Sequence, residues 1–175
     1  MFGFATWFGR PDLKLKATCT VVLLVLLVGC GSAPPRPDPI DAPDVQVPAR
    51  LTLEQANDVT LYAISLVGTP YRFGGNTPQS GFDCSGLINH VYQSQAGIKS
   101  PRTVAMLKDW GQPVSPEALR SGDLVVFFQK NVADHAGIYV GQGRFVHAPS
   151  SGGRVRLDHL NARYWAAQPK ALRRP

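Results

Sequence analysis

Cys84 stands in the run Phe82, Asp83, Cys84, Ser85, Gly86, Leu87, and four histidines accompany it at 90, 135, 147 and 159. These are the residue types of nucleophilic catalysis by a thiol, in which an imidazole takes the thiol proton and later gives it to the leaving group. Apolar residues at 87, 88, 91 and 92, with Asp83 ahead of them and Gly97 behind, predict a helix that begins at Cys84 or Ser85 and is capped by Asp83. A cysteine in that first turn meets unpaired backbone N–H groups and the positive end of the helix dipole, which favour a thiolate. The same N–H groups can receive the oxyanion of an acyl intermediate. Gly81 and Gly86 on either side are expected to let a substrate backbone approach closely. The plain alternative is a buried structural cysteine.

The histidines divide by position. His90 lies six residues into the Cys84 helix on a different face, a poor place for a base, and His159 follows Asp158 in a connection where it reads as a surface residue. His135 and His147 fall on strand-like runs, 135 to 140 and 144 to 148, separated by Gly141, Gln142 and Gly143. If those three residues form the turn, Val140 faces Arg144 and His147 lies opposite Gly137. His147 then shares a face with His135 one diagonal step away, about 7 Å between backbones. A two-residue turn at 142 and 143, or a bulge, would put the two on opposite faces. In the first register His135 is the base and His147 orients it, the part an Asn or Asp plays in other cysteine triads. With Cys19 and Cys30 assigned to the leader segment and its lipid, as argued below, four histidines without a further cysteine or clustered carboxylates make no zinc set, so neither metal nor cofactor is expected.

Positioning these groups falls to the elements around them. Thr52 with Gln55 is a capping-box pattern, followed by a helix whose apolar residues are Leu53, Ala56, Val59, Leu61, Ala63, Ile64 and Val67 and which ends at Gly68. A loop carrying Pro70, Tyr71, Gly74 and Gly75 leads to the Cys84 helix. A short helix is expected after Pro101 and a turn from Pro116 to Leu119. The period then changes to that of strands at 123 to 128, 135 to 140 and 144 to 148, with further strands at 154 to 157 and 164 to 171. Helices first and an antiparallel sheet afterwards predict an α+β fold.

At 175 residues, with 44% hydrophobic and 17% charged composition, the chain suits one globular domain plus extra segments. Arg10, Lys14 and Lys16 precede an apolar stretch from Ala17 to Val28, too short for the roughly 20 residues a bilayer requires, which reads as the core of a secretory signal. It ends in Leu27, Val28, Gly29, Cys30, which resembles the lipobox of bacterial lipoproteins, whose cysteine receives diacylglycerol and becomes the new N-terminus. The alternative is an uncleaved signal anchor. Gly31 and Ser32, with no Asp directly after Cys30, imply sorting to an outer membrane, facing the periplasm, if the organism is Gram-negative.

Six prolines between residues 31 and 50 predict an extended tether, which at ~3.1 Å per residue reaches about 60 Å. The organisation expected is thus a lipoprotein signal at 1–29, a lipidated cysteine and tether at 30–50, and a folded domain at 51–175. Without residues 1–29 the chain keeps 15 basic and 11 acidic residues, a net charge of +4, with many of the cations late in the sequence. Such a balance suits an anionic polymer or simply a solvated basic face. Cys19 leaves with the signal and Cys30 is committed to lipid, so Cys84 has no disulfide partner, a liability in an oxidising compartment unless the thiol has a use.

The runs FDCSGL at 82–87, GDLVVF at 122–127, DHAGIYVG at 134–141 and FVHAP at 145–149 together resemble the NlpC family of peptidoglycan cysteine endopeptidases. The resemblance covers about residues 55 to 170 and implies a papain-like α+β fold. It implies Cys84 as nucleophile, His135 as base, His147 as orienting residue, and Tyr71 in PYRFGG as a group beside the nucleophile that helps the oxyanion. Asp83 and Ser85 fall where relatives hold polar groups of the stem peptide, although Asp83 reads equally well as only a helix cap. Leu107 departs from the family, which often carries Gln there, and puts a polar substrate contact from that segment in doubt. The implied partner is peptidoglycan, reached by a monomer anchored to the membrane at Cys30, with no role for nucleic acid. The implied bond lies within a stem, D-glutamyl to diamino acid, or at the D-alanyl to diaminopimelate crosslink; a single domain on a lipid anchor favours the crosslink. Rival readings are a catalytically silent wall-binding lipoprotein and an amidase or acyltransferase of the same fold.

Overall fold

The computed structural model describes residues 51–151 and 153–175; the expected signal segment and the tether with Cys30 lie outside the described residues. Helix α1 (Leu53–Ser65) opens on the reciprocal cap read from the sequence. Thr52 Oγ1 accepts the Gln55 N–H at 3.1 Å, and Gln55 Oε1 accepts the Thr52 N–H at 3.0 Å. Its buried face is narrower than expected, because Ala56, Val59, Thr60 and Ala63 turn inward while Leu53, Leu61, Ile64 and Val67 stay exposed. Small residues win the inner face because the packing there is close: a Cβ on Gly122 would lie 2.9 Å from that of Ala56.

A two-stranded hairpin, β1 (Asn76–Thr77) with β2 (Gly81–Phe82), leads into α2 (Cys84–Ala96). Asp83 Oδ1 accepts the Gly86 N–H at 2.6 Å at its start, and Gly97 in the left-handed region (φ 69°) ends it. Leu87, Ile88, Val91 and Tyr92 are fully buried, as the sequence pattern required. Helix α3 (Val104–Leu107), β3 (Gln112–Pro113) and a 3₁₀ turn (Pro116–Ala118) cross to the sheet.

The sheet is six-stranded and antiparallel, in the order β3, β8, β4, β5, β6, β7, with β4 Leu124–Gln129, β5 Val132–Gly141, β6 Arg144–His147, β7 Arg156–His159 and β8 Lys170–Arg174. One face, with Leu124, Val126, Ala136, Ile138 and Val146, packs with α1, α2 and Leu107 into the main core. The other carries Val125, Phe127 and Phe145 beneath Trp165. Trp165 belongs to a short helix, α4 (Arg163–Ala166), in a stretch expected to be strand from 164 to 171; the strand that follows is β8. Likewise the strand expected at 154–157 begins two residues later. β8 is tied to β4 by Arg174, whose Nε and Nη2 donate to the two carboxylate oxygens of Asp123 at 2.9 and 2.8 Å, both side chains being buried. Among the described residues no helix is long and apolar enough to cross a membrane.

The β5–β6 hairpin differs from the expected three-residue turn in an instructive way. Gly141 pairs with Arg144, so the turn is the two residues Gln142 and Gly143, both at positive φ (54° and 69°). Between Gly141 and Tyr139 the register shifts, leaving Val140 as a bulge, after which Tyr139 pairs with Phe145 and Ile138 with Val146. A short turn and a bulge would each have moved His147 to the wrong face. Together they cancel.

Candidate active site

Cys84 is the first residue of α2, partly buried, and a free thiol. The loop before it is packed through glycines. A Cβ on Gly86 would lie 2.0 Å from the Gly75 carbonyl oxygen, and one on Gly75 would lie 2.3 Å from that of Gly81. These glycines therefore serve the close packing of the loop on the helix start, in place of the substrate approach expected of Gly81 and Gly86. Where the β5–β6 ladder ends, the Ala136 N–H is directed at the Cys84 sulfur, alongside the N–H groups of Cys84 and Ser85. The nucleophile candidate thus sits against the residue next to His135.

His135 and His147 share one face of the sheet, and their rings meet edge to face with centroids 5.0 Å apart. His135 Nε2 lies 2.8 Å from His147 Nδ1, and His147 Nε2 lies 3.0 Å from Asp158 Oδ2. This chain fixes both tautomers. A carboxylate only accepts, so His147 Nε2 carries its proton and donates to Asp158; its Nδ1 is then the lone pair that accepts the His135 Nε2–H. What remains is His135 Nδ1, unprotonated, as the nitrogen able to take a proton from a thiol. Sγ of Cys84 is not hydrogen-bonded to His135 here, a contact that in such sites tightens with substrate in place.

Room for His147 comes from Gly137 across the ladder. A Cβ there would lie 2.7 Å from the Phe145 ring, 2.9 Å from the Val146 carbonyl oxygen and 3.2 Å from the His147 Cβ. His147 itself is 0% exposed. Asp158 is anchored by further donors: Trp165 Nε1 at 2.9 Å, Arg156 Nε at 3.0 Å and Arg156 Nη2 at 3.0 Å. The Trp165 ring also stacks on His135, with centroids 5.4 Å apart.

Electrostatics favour neutral partners. Burial, then the neighbouring His147 and Arg156, push His135 down to about 3, and burial pushes His147 down to about 4 against the pull of Asp158. Burial opposes the charge of Asp158 as well, yet its donors hold its carboxyl below the usual range. Burial and the Asp83 carboxylate push the Cys84 thiol above its ordinary value, outweighing the N–H groups that favour the thiolate. The resting state is therefore thiol beside imidazole, not the thiolate that the helix start alone suggests.

Tyr71 lies beside the nucleophile, its backbone bridged to Phe82 and its N–H donated to the Gly153 carbonyl at 2.7 Å. Burial, then the charges of Cys84 and Asp83, raise its pKa. Asp83 caps α2 and also accepts the Gly74 N–H through Oδ2 at 2.9 Å. Ser85 is 5% exposed and its hydroxyl lies 2.8 Å from the Arg102 carbonyl oxygen and 3.0 Å from Asp83 Oδ1, which leaves it engaged in the loop in place of the substrate contact expected of it. Leu107 is 0% exposed in the main core, so the family departure at that position does not reach the cleft. His90 hydrogen-bonds Tyr62 Oη at 2.9 Å, away from the thiol, and His159 is exposed at the edge of β7. Among the described residues no group of three or more His, Cys, Asp or Glu is placed to hold a metal ion.

Asp158, Arg156 and Trp165 were not anticipated from the sequence. The available signal was the alternation of Arg156 and Asp158, which puts both on one face of a strand, but only the β6–β7 pairing of His147 with Arg156 and Phe145 with Asp158 brings that face to the histidines.

Comparison with known proteins extends this geometry. The NlpC/P60 family profile matches residues 68–174. Over 110 residues the chain is 42% identical to the gamma-DL-glutamyl hydrolase of Bacillus subtilis (strain 168), covering 62% of this chain and 26% of that protein. Over 113 residues it is 39% identical to the murein DD-endopeptidase MepH of Escherichia coli (strain K12), covering 62% and 41%. The chain therefore spans less than half the length of either relative. The crystal structure of the NlpC/p60 domain of peptidoglycan hydrolase SagA superposes with a TM-score of 0.58 at 29% identity, covering 67% of this chain and 97% of that one.

Proposed function

Because the chain belongs to the NlpC/P60 family, we propose that it is a cysteine endopeptidase that cuts peptide bonds of peptidoglycan. The observation that carries the reading is the hydrogen-bonded series Asp158, His147, His135, which leaves Nδ1 of His135 as a proton acceptor on the strand whose next residue, Ala136, faces the Cys84 sulfur.

In the proposed reaction His135 Nδ1 takes the Cys84 proton as Sγ adds to the scissile carbonyl carbon. The oxyanion is met by the Cys84 backbone N–H, with Tyr71 Oη as a second donor. Collapse breaks the C–N bond while His135 returns the proton to the leaving amine, giving a thioester. Water, deprotonated by His135, then attacks the thioester; Sγ leaves and recovers the proton. Starting from the neutral pair, each transfer produces an imidazolium only in passing, and His147 with Asp158 stabilises that charge.

The bond proposed is the D-alanyl to diaminopimelate crosslink, supported by likeness to a DD-endopeptidase. Cys30 is proposed to carry the lipid that holds a monomeric domain at the envelope, in the outer membrane if the cell is Gram-negative, supported by the basic flank, the apolar 17–28 stretch, the Leu27–Cys30 motif and the Gly31 and Ser32 that follow it. The test is product analysis of intact sacculi by mass spectrometry. Wild-type protein releases crosslinked dimers as monomers, and Cys84→Ala releases none. Equal release by Cys84→Ala would sink the cysteine mechanism, and dimers left intact while stems are trimmed would move the bond to the D-glutamyl position. Cys30→Ala is expected to shift the protein from the membrane to the soluble fraction.

A further inference from the structure

A cavity of about 430 Å³ opens on the sheet face away from the main core, with His135, Asp158 and Trp165 in its wall. His147 is not in that wall and is 0% exposed, although all three of those residues touch it. Of the three, only Trp165 takes no charge and no part in the proton relay. Its ring lies close to parallel on His135, with centroids 5.4 Å and planes 26° apart, and meets His147 edge-on at 5.1 Å and 88°. Phe127 at 4.5 Å and Phe145 at 5.2 Å back the ring, and its Nε1–H on Asp158 Oδ2 fixes its tilt. At 6% exposed, Trp165 is a packed part of the second core. We propose that Trp165 is a positioning residue that seals the His135–His147 hydrogen bond from water entering this cavity, and that the seal sets how far into the acid range the pair can work.

The inference rests on the peptidase reading above for its effect on turnover. The charged and titratable groups that face the pair are Asp158 and Arg156 from β7, Asp134 beside His135 on β5, Cys84 from α2 and Tyr164 from α4; β4 presents the uncharged Phe127. Arg156 and Asp158 act on the histidines with opposite signs, and burial is the largest cause that holds both of them low. Water at His147 removes that cause and leaves Asp158 to draw a proton onto it. A doubly protonated His147 donates through Nδ1 as well as Nε2, so it no longer accepts the His135 Nε2–H, and the relay is broken. Without the seal the site therefore fails on the acid side, where the sealed site keeps both rings neutral.

The test uses the full chain, kept soluble in detergent micelles, and follows the imidazole carbon–proton signal of His147 by NMR from about pH 7.5 to about pH 5. The signal is assigned by its absence from His147→Asn. Wild-type protein is expected to hold a steady shift over that range. Trp165→Ala is expected to titrate with a midpoint between about 5 and 7, near an ordinary histidine. Trp165→Phe keeps a ring over the pair, loses the N–H, and is expected to stay steady. On a soluble muropeptide, kcat/KM of Trp165→Ala is expected to fall about tenfold or more between pH 7 and pH 5, beyond any change in the wild type, while Trp165→Phe loses kcat by one factor at every pH. If Trp165→Ala does not fold, Trp165→Leu, which stays apolar but leaves the ring faces open, carries the same expectations. A steady His147 signal in the opened variant, titration above pH 5 already in the wild type, or the same titration in Trp165→Phe as in Trp165→Ala overturns the seal. Wild-type protein that cleaves no muropeptide sinks the peptidase reading, and the NMR titration then decides the seal without it.

Discussion

Asp158 does for the histidines what no residue near Cys84 can do: it chooses which nitrogen holds each proton. Its carboxylate obliges His147 to donate through Nε2, and the obligation passes along to His135. Asp158→Asn retains an oxygen that can accept but loses the charge that stabilises the transient imidazolium, and its NH₂ can instead present a donor and reverse both tautomers. We expect kcat to fall by about 10²-fold or more with little change in KM, measured by steady-state kinetics on a soluble muropeptide. A neutral resting pair also has a chemical signature. Since burial raises the Cys84 thiol and depresses His135, alkylation by iodoacetamide should accelerate continuously into the alkaline range. A fast plateau between pH 5 and 7 would instead reveal a resting thiolate and contradict the neutral pair.

Among the elements, the β5–β6 hairpin controls the site most directly, and Gly137 is its tightest point. Gly137→Ala forces a methyl group against the Phe145 ring, the Val146 carbonyl and the His147 Cβ. We expect a loss of about 1–3 kcal/mol in denaturant unfolding and a larger proportional loss of kcat; a variant with wild-type stability and rate would show that the strand yields without cost. The same hairpin shows how far local signals reach. The caps at Thr52 and Asp83 were legible because the partners lie three residues apart. Leu53, Leu61 and Ile64 misled because hydrophobic type says nothing of how closely a helix must approach its neighbour, and here Ala56 and Ala63 permit the approach. The stretch from 164 onward read as strand because the four residues of α4 are too few to show a period. Cys84, His135 and His147 could be grouped from spacing and register, but Asp158 reaches them only through a pairing across the loop between β6 and β7.

For the whole molecule, two histidines buried as neutral groups link stability to pH. Their native values, about 4 for His147 and about 3 for His135, lie below the ~6.5 of an unfolded histidine, so the unfolded chain binds their protons first as pH falls. Their contribution is complete above about pH 6.5 and is lost as pH falls from there to about 4 for His147 and about 3 for His135, with a slope of up to about 1.4 kcal/mol per pH unit for each group. Asp158, held below its usual range, adds loss of the same sign at still lower pH. Urea midpoints should therefore drop from pH 7 to pH 4.5, and His147→Asn should flatten the dependence; equal wild-type midpoints at the two values would argue that the histidines are not buried as neutral groups. The doubled irregularity of the hairpin has a consequence for how this chain can vary in length. Strand faces alternate, so what keeps His147 beside His135 is the pairing of Tyr139 with Phe145 and Ile138 with Val146, which puts His147 across from Gly137. Deleting Val140 leaves Gly141 against Arg144 and Tyr139 against Phe145 in an unbroken ladder, and His147 keeps its face. Residues added at Gln142 lengthen the turn without touching those pairs, so the hairpin can vary in length at its tip, where a slip of one residue along the ladder would turn His147 into the main core.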